Sequence, residues 1–313
     1  MINELISKYE SLLRGNGSSE NTIVRYTQVA NQFIIWHQEL LNKDYFDPKE
    51  VSVLDLQQWK QYLINEATFQ RGKGKPKKYS ISSVNNSIVA IKSFFGSLYK
   101  MGMVENDPSS KLKKQKVNAD FESEPRWLER HERNKLIRAI EDEKSESKNR
   151  WKFTRNRAIV YVQLLAGLRV SEVTDLEMDD VSFEMGYIFI RDGKGGKARR
   201  VEMNKELRRA LGDWMNERGE ANTRKVFTSS RGGNPLTKRG VEYLYESLSK
   251  KTGISDLTTH VPRHTLAHDL IESGYSIQRV ADILGHSNLN YTRVYTKSST
   301  QERREALESL SSI

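Results

Sequence analysis

The sequence contains no cysteine. Disulfides and thiolate metal sites are therefore excluded, and a reducing, cytoplasmic setting is the expectation. No apolar run is long enough to cross a membrane, so no membrane partner is expected. The first residues, MINELISKYE, lack the apolar segment of a secretory signal. A nucleotide-binding loop is missing as well. The stretch DGKGGK (192–197) has the glycines and lysines but not the GxxxxGK spacing, and no apolar helix follows it. There is no internal repeat. What the chain has in excess is positive charge, a formal +10 with pI near 9.5. Such a balance points to a polyanionic partner, most simply nucleic acid.

At 313 residues two domains are expected. Residues 1–118 read as a helical domain. SSENTIVRYTQVANQFIIWHQELL opens on a Ser cap and places Ile23, Tyr26, Ala30, Phe33 and Leu40 at helical spacing. The segment 53–69 carries Leu56, Trp59, Tyr62 and Leu63. ISSVNNSIVAIKSFFGSLYK puts Val84, Ile88, Ile91, Phe94, Phe95, Leu98 and Tyr99 on one stripe, read as core rather than as a base-stacking platform. This part holds 17 Lys and Arg against 11 Asp and Glu. The basic residues cluster in a Gly- and Pro-containing loop, Arg71, Lys73, Lys75, Lys77 and Lys78, and in the run Lys111, Lys113, Lys114 and Lys116. Both can be solvated surface; as a matched pair they suit contact with a phosphate backbone. NDPSSKLKKQKVNADFESEP (106–125) has no apolar period and reads as connecting chain, with the linker proper at 119–124.

From 125 onward helices alternate with one hairpin. A helix is expected after Pro125, then an exposed charged stretch at 143–152, then an apolar helix with Ile159, Val162, Leu165 and Ala166. Gly167 breaks it, and Arg169 follows in AGLRVSEV. A guanidinium there needs an anion, and Glu172, three residues on, can supply it. FEMGYIFIRDGKGGKARRVEMN alternates as a β-hairpin with Lys194 and Lys197 at its tip. Arg199 and Arg200 beyond it read as backbone contacts or surface charge. A helix near 204–217, a short strand KVFTSS and a helix from Thr237 to about Lys251 come next.

The last motif is HVPRHTLAHDLIESGYSIQRVADILGHSNLNYTRVYTK (260–297). Pro262 suits a first helical turn, Gly274 an end, and Ser276 the cap of a second short helix that Gly285 closes. A third helix would carry Tyr291 and Tyr295. Together these segments mount His260, Arg263, His286 and a tyrosine, a set suited to an anionic group. His260, His264 and His268 fall four residues apart, but Pro262 takes His260 off the register and no carboxylate completes a ligand set. No metal is expected. His264 reads as a packing or capping histidine, His268 as a surface one.

Read in order, AGLRVSEV with Arg169, GKGGKARRV with Lys194, HVPRH with His260 and Arg263, and LGHSNLNYTRVYT with His286 and Tyr295 resemble the tyrosine recombinases, the phage-integrase family. The match by motif covers roughly 124–313. Pro262 departs from the apolar residue usual there and leaves the reactive side chains in place. The resemblance implies a mainly α fold with a small β-sheet or hairpin in the catalytic domain, arranged as a two-domain clamp. It implies a DNA core-binding domain at 1–118 and a catalytic domain at 125–313, with a tail helix after Tyr295. It further implies a site-specific DNA recombinase, of integrase, resolvase or transposon type, that needs no metal, cofactor or ATP and works as a homo-tetramer on two DNA duplexes.

In that chemistry Arg169 and Arg263 would hold the non-bridging oxygens, where charge builds. Tyr295 would attack phosphorus to give a 3′-phosphotyrosyl bond. Lys194 would protonate the leaving 5′-oxygen, His260 would move the tyrosine proton, and His286 would donate to the phosphate. Glu172 would hold the arginine and histidine geometry. Tyr291 remains a rival to Tyr295, and Lys197 to Lys194. A non-catalytic DNA-binding relative and a type IB-like topoisomerase are the alternatives.

Overall fold

The structure, a computed structural model, describes residues 2–70, 75–116, 125–146, 150–191, 198–230 and 233–285. The chain divides into two compact units, Met1–Glu122 and Ser123–Ile313.

The first unit is built from four helices, α1 (Ile2–Gly15), α2 (Glu20–Leu41), α3 (Val53–Asn65) and α4 (Ile81–Lys100). The chain starts three of them with a serine. The Ser19, Ser52 and Ser80 hydroxyls accept from Thr22, Asp55 and Ser83 N–H, and Asp55 returns a bond to Ser52 N–H as a capping box. Phe33 of α2 is fully buried at the centre. Trp59, Phe46 and Phe95 meet it edge-on at 5.4, 6.2 and 5.6 Å. The α4 stripe is core as the spacing predicts, except for Tyr99, which is 53% exposed at the helix end. Leu40, expected on the inner face of α2, is also exposed. Helix α1 was not legible as an element in the polar opening residues, although Leu5, Ile6, Tyr9 and Leu13 lie on one buried face.

Helix α3 ends at Asn65, short of the expected 69. The chain pairs instead as a two-residue ladder, β1 (Thr68–Phe69) with β2 (Lys77–Lys78). Lys75, Lys77 and Lys78 are exposed there, and Lys78 Nζ donates to Asn65 O at 2.8 Å. Arg71 and Lys73 lie outside the described residues. The run 110–116 lies back along α4. Asn85 exchanges two hydrogen bonds with the Gln115 backbone, and Lys92 Nζ donates to Ser110 O and Leu112 O. Lys111, Lys113, Lys114 and Lys116 stay exposed.

The second unit surrounds α6 (Arg150–Leu165), whose Ala158, Ile159, Val160 and Val162 are all fully buried. A helix buried on nearly every side is a core element, not a surface one with a single apolar face. Trp151, inside the stretch expected to be exposed, is buried against Trp214 at 5.2 Å. Around α6 pack α5 (Arg130–Glu146), α8 (Lys205–Arg218) and α10 (Val261–Glu272), and α9 (Lys238–Thr252) packs on α5. Helix α5 starts five residues after Pro125, because Leu128 N–H is held by Thr265 Oγ1 at 2.8 Å.

The short α7 (Val170–Asp175) precedes a three-stranded antiparallel sheet in the order β3 (Val181–Ser182), β4 (Tyr187–Ile190), β5 (Arg199–Glu202). Its register pairs Ile188 with Val201 and Ile190 with Arg199. KVFTSS is not a strand. It makes only isolated bridges, Glu177 with Lys225 and Thr228 with Pro235, and Val226 O accepts from the side chains of Trp214 and Arg218. The last described element is α11 (Ile277–Leu284), capped by Ser276 and closed by Gly285 at φ 65°. No helix among the described residues is long and apolar enough to cross a membrane.

Candidate active site

Arg169 stands at the N-terminus of α7, just after the α6 helix is broken by Gly167 at φ 64°. A Cβ on Gly167 would lie 2.5 Å from Leu284 Cδ2 and 3.0 Å from Leu266 Cδ2, so only glycine lets this turn sit against α10 and α11. Arg169 Nη1 donates to Glu172 Oε1 at 2.6 Å, and its backbone N–H donates to Glu172 Oε2 at 2.8 Å. Its Nη2 donates to Gly285 O at 2.9 Å.

Arg263 reaches the same place from α10. It is 5% exposed and donates to Gly167 O and, at 2.6 Å, to Leu284 O. The two guanidinium groups thus rest on consecutive carbonyls, Leu284 and Gly285, at the end of α11. His260 occupies the N-terminal cap of α10, with Pro262 in the first turn. The residue is exposed, yet packing around the ring, and then the charges of Arg263 and Arg169, lower its pKa. It is therefore neutral and able to accept a proton at pH 7. His264, one turn on, is pushed down to about 4 by burial, His260 and Arg263.

Glu172 is buried as well, its side chain 4% exposed. Burial alone would raise its pKa. The Arg199 guanidinium, followed by Arg169, overcomes this and holds the carboxyl at about 2. Arg199 is a correction to the sequence reading. It is neither a backbone contact nor surface charge. Its side chain is 7% exposed, and Nη1 and Nη2 donate to Glu172 Oε1 and Oε2 at 2.9 and 2.8 Å. The signal was present in the alternation of β5: Val201 faces the core, so Arg199 shares its face, while Arg200 and Glu202 face out. Arg200 lies over the Tyr187 ring at 4.2 Å.

A second residue was missed. Gln163, buried within α6, donates to Thr259 O at 3.0 Å and Leu168 O at 3.4 Å. It ties the residue before Arg169 to the residue before His260. His268, expected at the surface, stacks on Trp127 at 4.5 Å. Lys194, Lys197, His286, Tyr291, Tyr295 and the tail 299–313 lie outside the described residues. So does the linker 119–124.

Residues 126–302 match the family model described as the phage integrase family. The chain belongs to the phage integrase family, the tyrosine recombinases. It is 31% identical to the tyrosine recombinase XerA of Thermococcus kodakarensis, over 98% of this chain and 95% of that one. It is 27% identical to XerC of Leptospira interrogans, over 97% and 92%. Its fold is similar to that of the Tn1549 transposon integrase in complex with transposon right-end DNA, with a TM-score of 0.73, 19% identity and coverage of 98% and 99%. It is similar also to XerH bound to difH substrate, with a TM-score of 0.71, 21% identity and coverage of 96% and 84%.

Proposed function

We propose that this chain, a site-specific DNA recombinase of the tyrosine type, cuts one phosphodiester at a time with the groups gathered at the α7, α10 and α11 termini. The observation that carries this reading is the convergence of Arg169 and Arg263 on the Leu284 and Gly285 carbonyls, next to a neutral His260. A phosphodiester resists attack because it is anionic and its leaving alkoxide is poor. Arg169 and Arg263 address the first difficulty by holding the non-bridging oxygens as negative charge builds there. Arg169 and Arg199 also share the single Glu172 carboxylate, so among the described residues this pair of cations is one negative charge short. A phosphate supplies it.

Tyr295 attacks phosphorus, giving a 3′-phosphotyrosyl bond and a free 5′-hydroxyl. His260 takes the phenolic proton, Lys194 protonates the leaving 5′-oxygen, and His286 donates to the phosphate. The covalent bond keeps the ester's energy, so religation by another 5′-hydroxyl needs no ATP. DNA is the partner. The Met1–Glu122 unit follows the backbone with Arg71, Lys73, Lys75, Lys77, Lys78, Lys113 and Lys114, and the Ser123–Ile313 unit carries the chemistry. Four copies act on two duplexes in the cytoplasm, the segment after Tyr295 docking on a neighbouring copy.

The test is a plasmid carrying two copies of the DNA flanking the chain's own gene. Deletion or catenated products are expected. Relaxation without exchange would make the chain a topoisomerase, and tight binding without cleavage would make it a non-catalytic DNA binder.

A further inference from the structure

Arg199 is not among the residues that the resemblance assigns to the reaction, yet it is built into the same cluster. It comes from β5, five residues beyond Lys194 in the sequence. Both of its terminal nitrogens are taken by Glu172, at 2.9 and 2.8 Å. Glu172 in turn holds both the side chain and the backbone N–H of Arg169. The Arg199 stem also lies against the turn that ends α11. A Cβ on Gly285 would be 2.8 Å from Arg199 Cδ and 3.0 Å from Nη1, and Gly285 O accepts from Arg169. One side chain on β5 therefore touches both the buttress of Arg169 and the turn beneath Arg169. Its Nε is buried without a partner among the described residues, so Glu172 is what fixes its direction.

We propose that Arg199 is a positioning residue for strand cleavage, locking Glu172, Arg169 and the Gly285 turn to β5. The inference rests on the recombinase reading and deepens it. Arg199 touches no reacting atom. It fixes the angle at which Arg169 meets the phosphate. It also keeps the buried Glu172 ionised. The charged groups facing Glu172 directly are Arg169 and Arg199. The cleft beside it carries Asp175, Glu177, Asp180, Arg191 and Lys225, of which Arg191 pairs with Asp180 and Lys225 with Glu177. Without Arg199, burial raises the Glu172 pKa and only Arg169 opposes it.

The experiment uses the full chain and a nicked duplex from the DNA flanking its gene, on which cleavage is trapped as a covalent adduct. Wild type, Arg199→Met and Arg199→Lys are compared at saturating DNA and neutral pH, with duplex affinity measured separately. A misplaced Arg169 is expected to slow adduct formation in Arg199→Met by about 100-fold while affinity stays within about threefold. Arg199→Lys recovers about tenfold. Should Arg199→Met fail to fold, Arg199→Lys decides alone, the expectation being a rate about tenfold below wild type at unchanged affinity. A folded variant that cleaves at the wild-type rate would overturn the proposal. So would a loss that tracks DNA affinity, or one that Arg199→Lys does not recover. A wild-type chain that forms no adduct would instead sink the recombinase reading itself.

Discussion

Changing Glu172 to Gln keeps the shape of the side chain and removes its charge. In the native site the carboxylate accepts four bonds, from Arg169 N–H and Nη1 and from Arg199 Nη1 and Nη2. An amide accepts at its oxygen only, and its NH2 would point at N–H donors. The two guanidinium groups, 18% and 7% exposed, would lose their anion. Breaking a buried pair by removing one partner costs about 3–5 kcal/mol. An independent route agrees. A carboxyl held at about 2 instead of 4.5 contributes about 3 kcal/mol at neutral pH, at roughly 1.4 kcal/mol per pKa unit. The folded-state pKa is the depressed one, so this stability is present above pH 4.5 and is lost as pH falls towards 2. Urea unfolding of wild type and Glu172→Gln at a series of pH values should therefore show a gap of about 3 kcal/mol at pH 7 that narrows below pH 4.5. A gap under about 1 kcal/mol at pH 7, or one that ignores pH, would refute the reasoning.

Gly285→Ala should lower stability by more than about 2 kcal/mol, from a left-handed φ and a Cβ that displaces the buried Arg199; thermal unfolding reads it. His264, held neutral down to about pH 4, takes up a proton on unfolding, so it makes the fold less stable as pH drops from 6.5 towards 4. His264→Gln should flatten that decline by up to about 3 kcal/mol in urea midpoints at pH 7 and 4.5. Replacing Lys113 and Lys114 with Gln should reduce the slope of log affinity against log salt by about 2 for every DNA sequence alike, as measured by titration at several salt concentrations.

What was legible in the sequence is what short-range chemistry decides. Pro262, Gly274, Ser276 and Gly285 mark the ends of α10 and α11 because caps and left-handed turns depend on the residue in place. Arg169 and Glu172 were readable as a pair because three residues on a helix bring them together. The stripe of α4 needed only its period. Arg199 and Gln163 were opaque for the opposite reason. Arg199 meets Glu172 across 27 residues, and Gln163 meets Thr259 across 96. Charge in a strand next to a Gly-rich turn looks like surface until the sheet's inner face is known. A lone glutamine in an apolar helix looks like an exposed edge until that helix proves central. KVFTSS has a strand's composition, but Trp214 and Arg218 side chains claim the Val226 carbonyl that a neighbouring strand would use.

The central claim is metal-free tyrosine chemistry at Tyr295, and a covalent trap tests it most directly. The chain is mixed in EDTA with nicked duplexes from the DNA flanking its gene, denatured in SDS, and run beside Tyr295→Phe and Tyr291→Phe. The account predicts a protein–DNA adduct that survives both reagents, persists in Tyr291→Phe and disappears in Tyr295→Phe. An adduct that remains in Tyr295→Phe, or that only Tyr291→Phe removes, would contradict it.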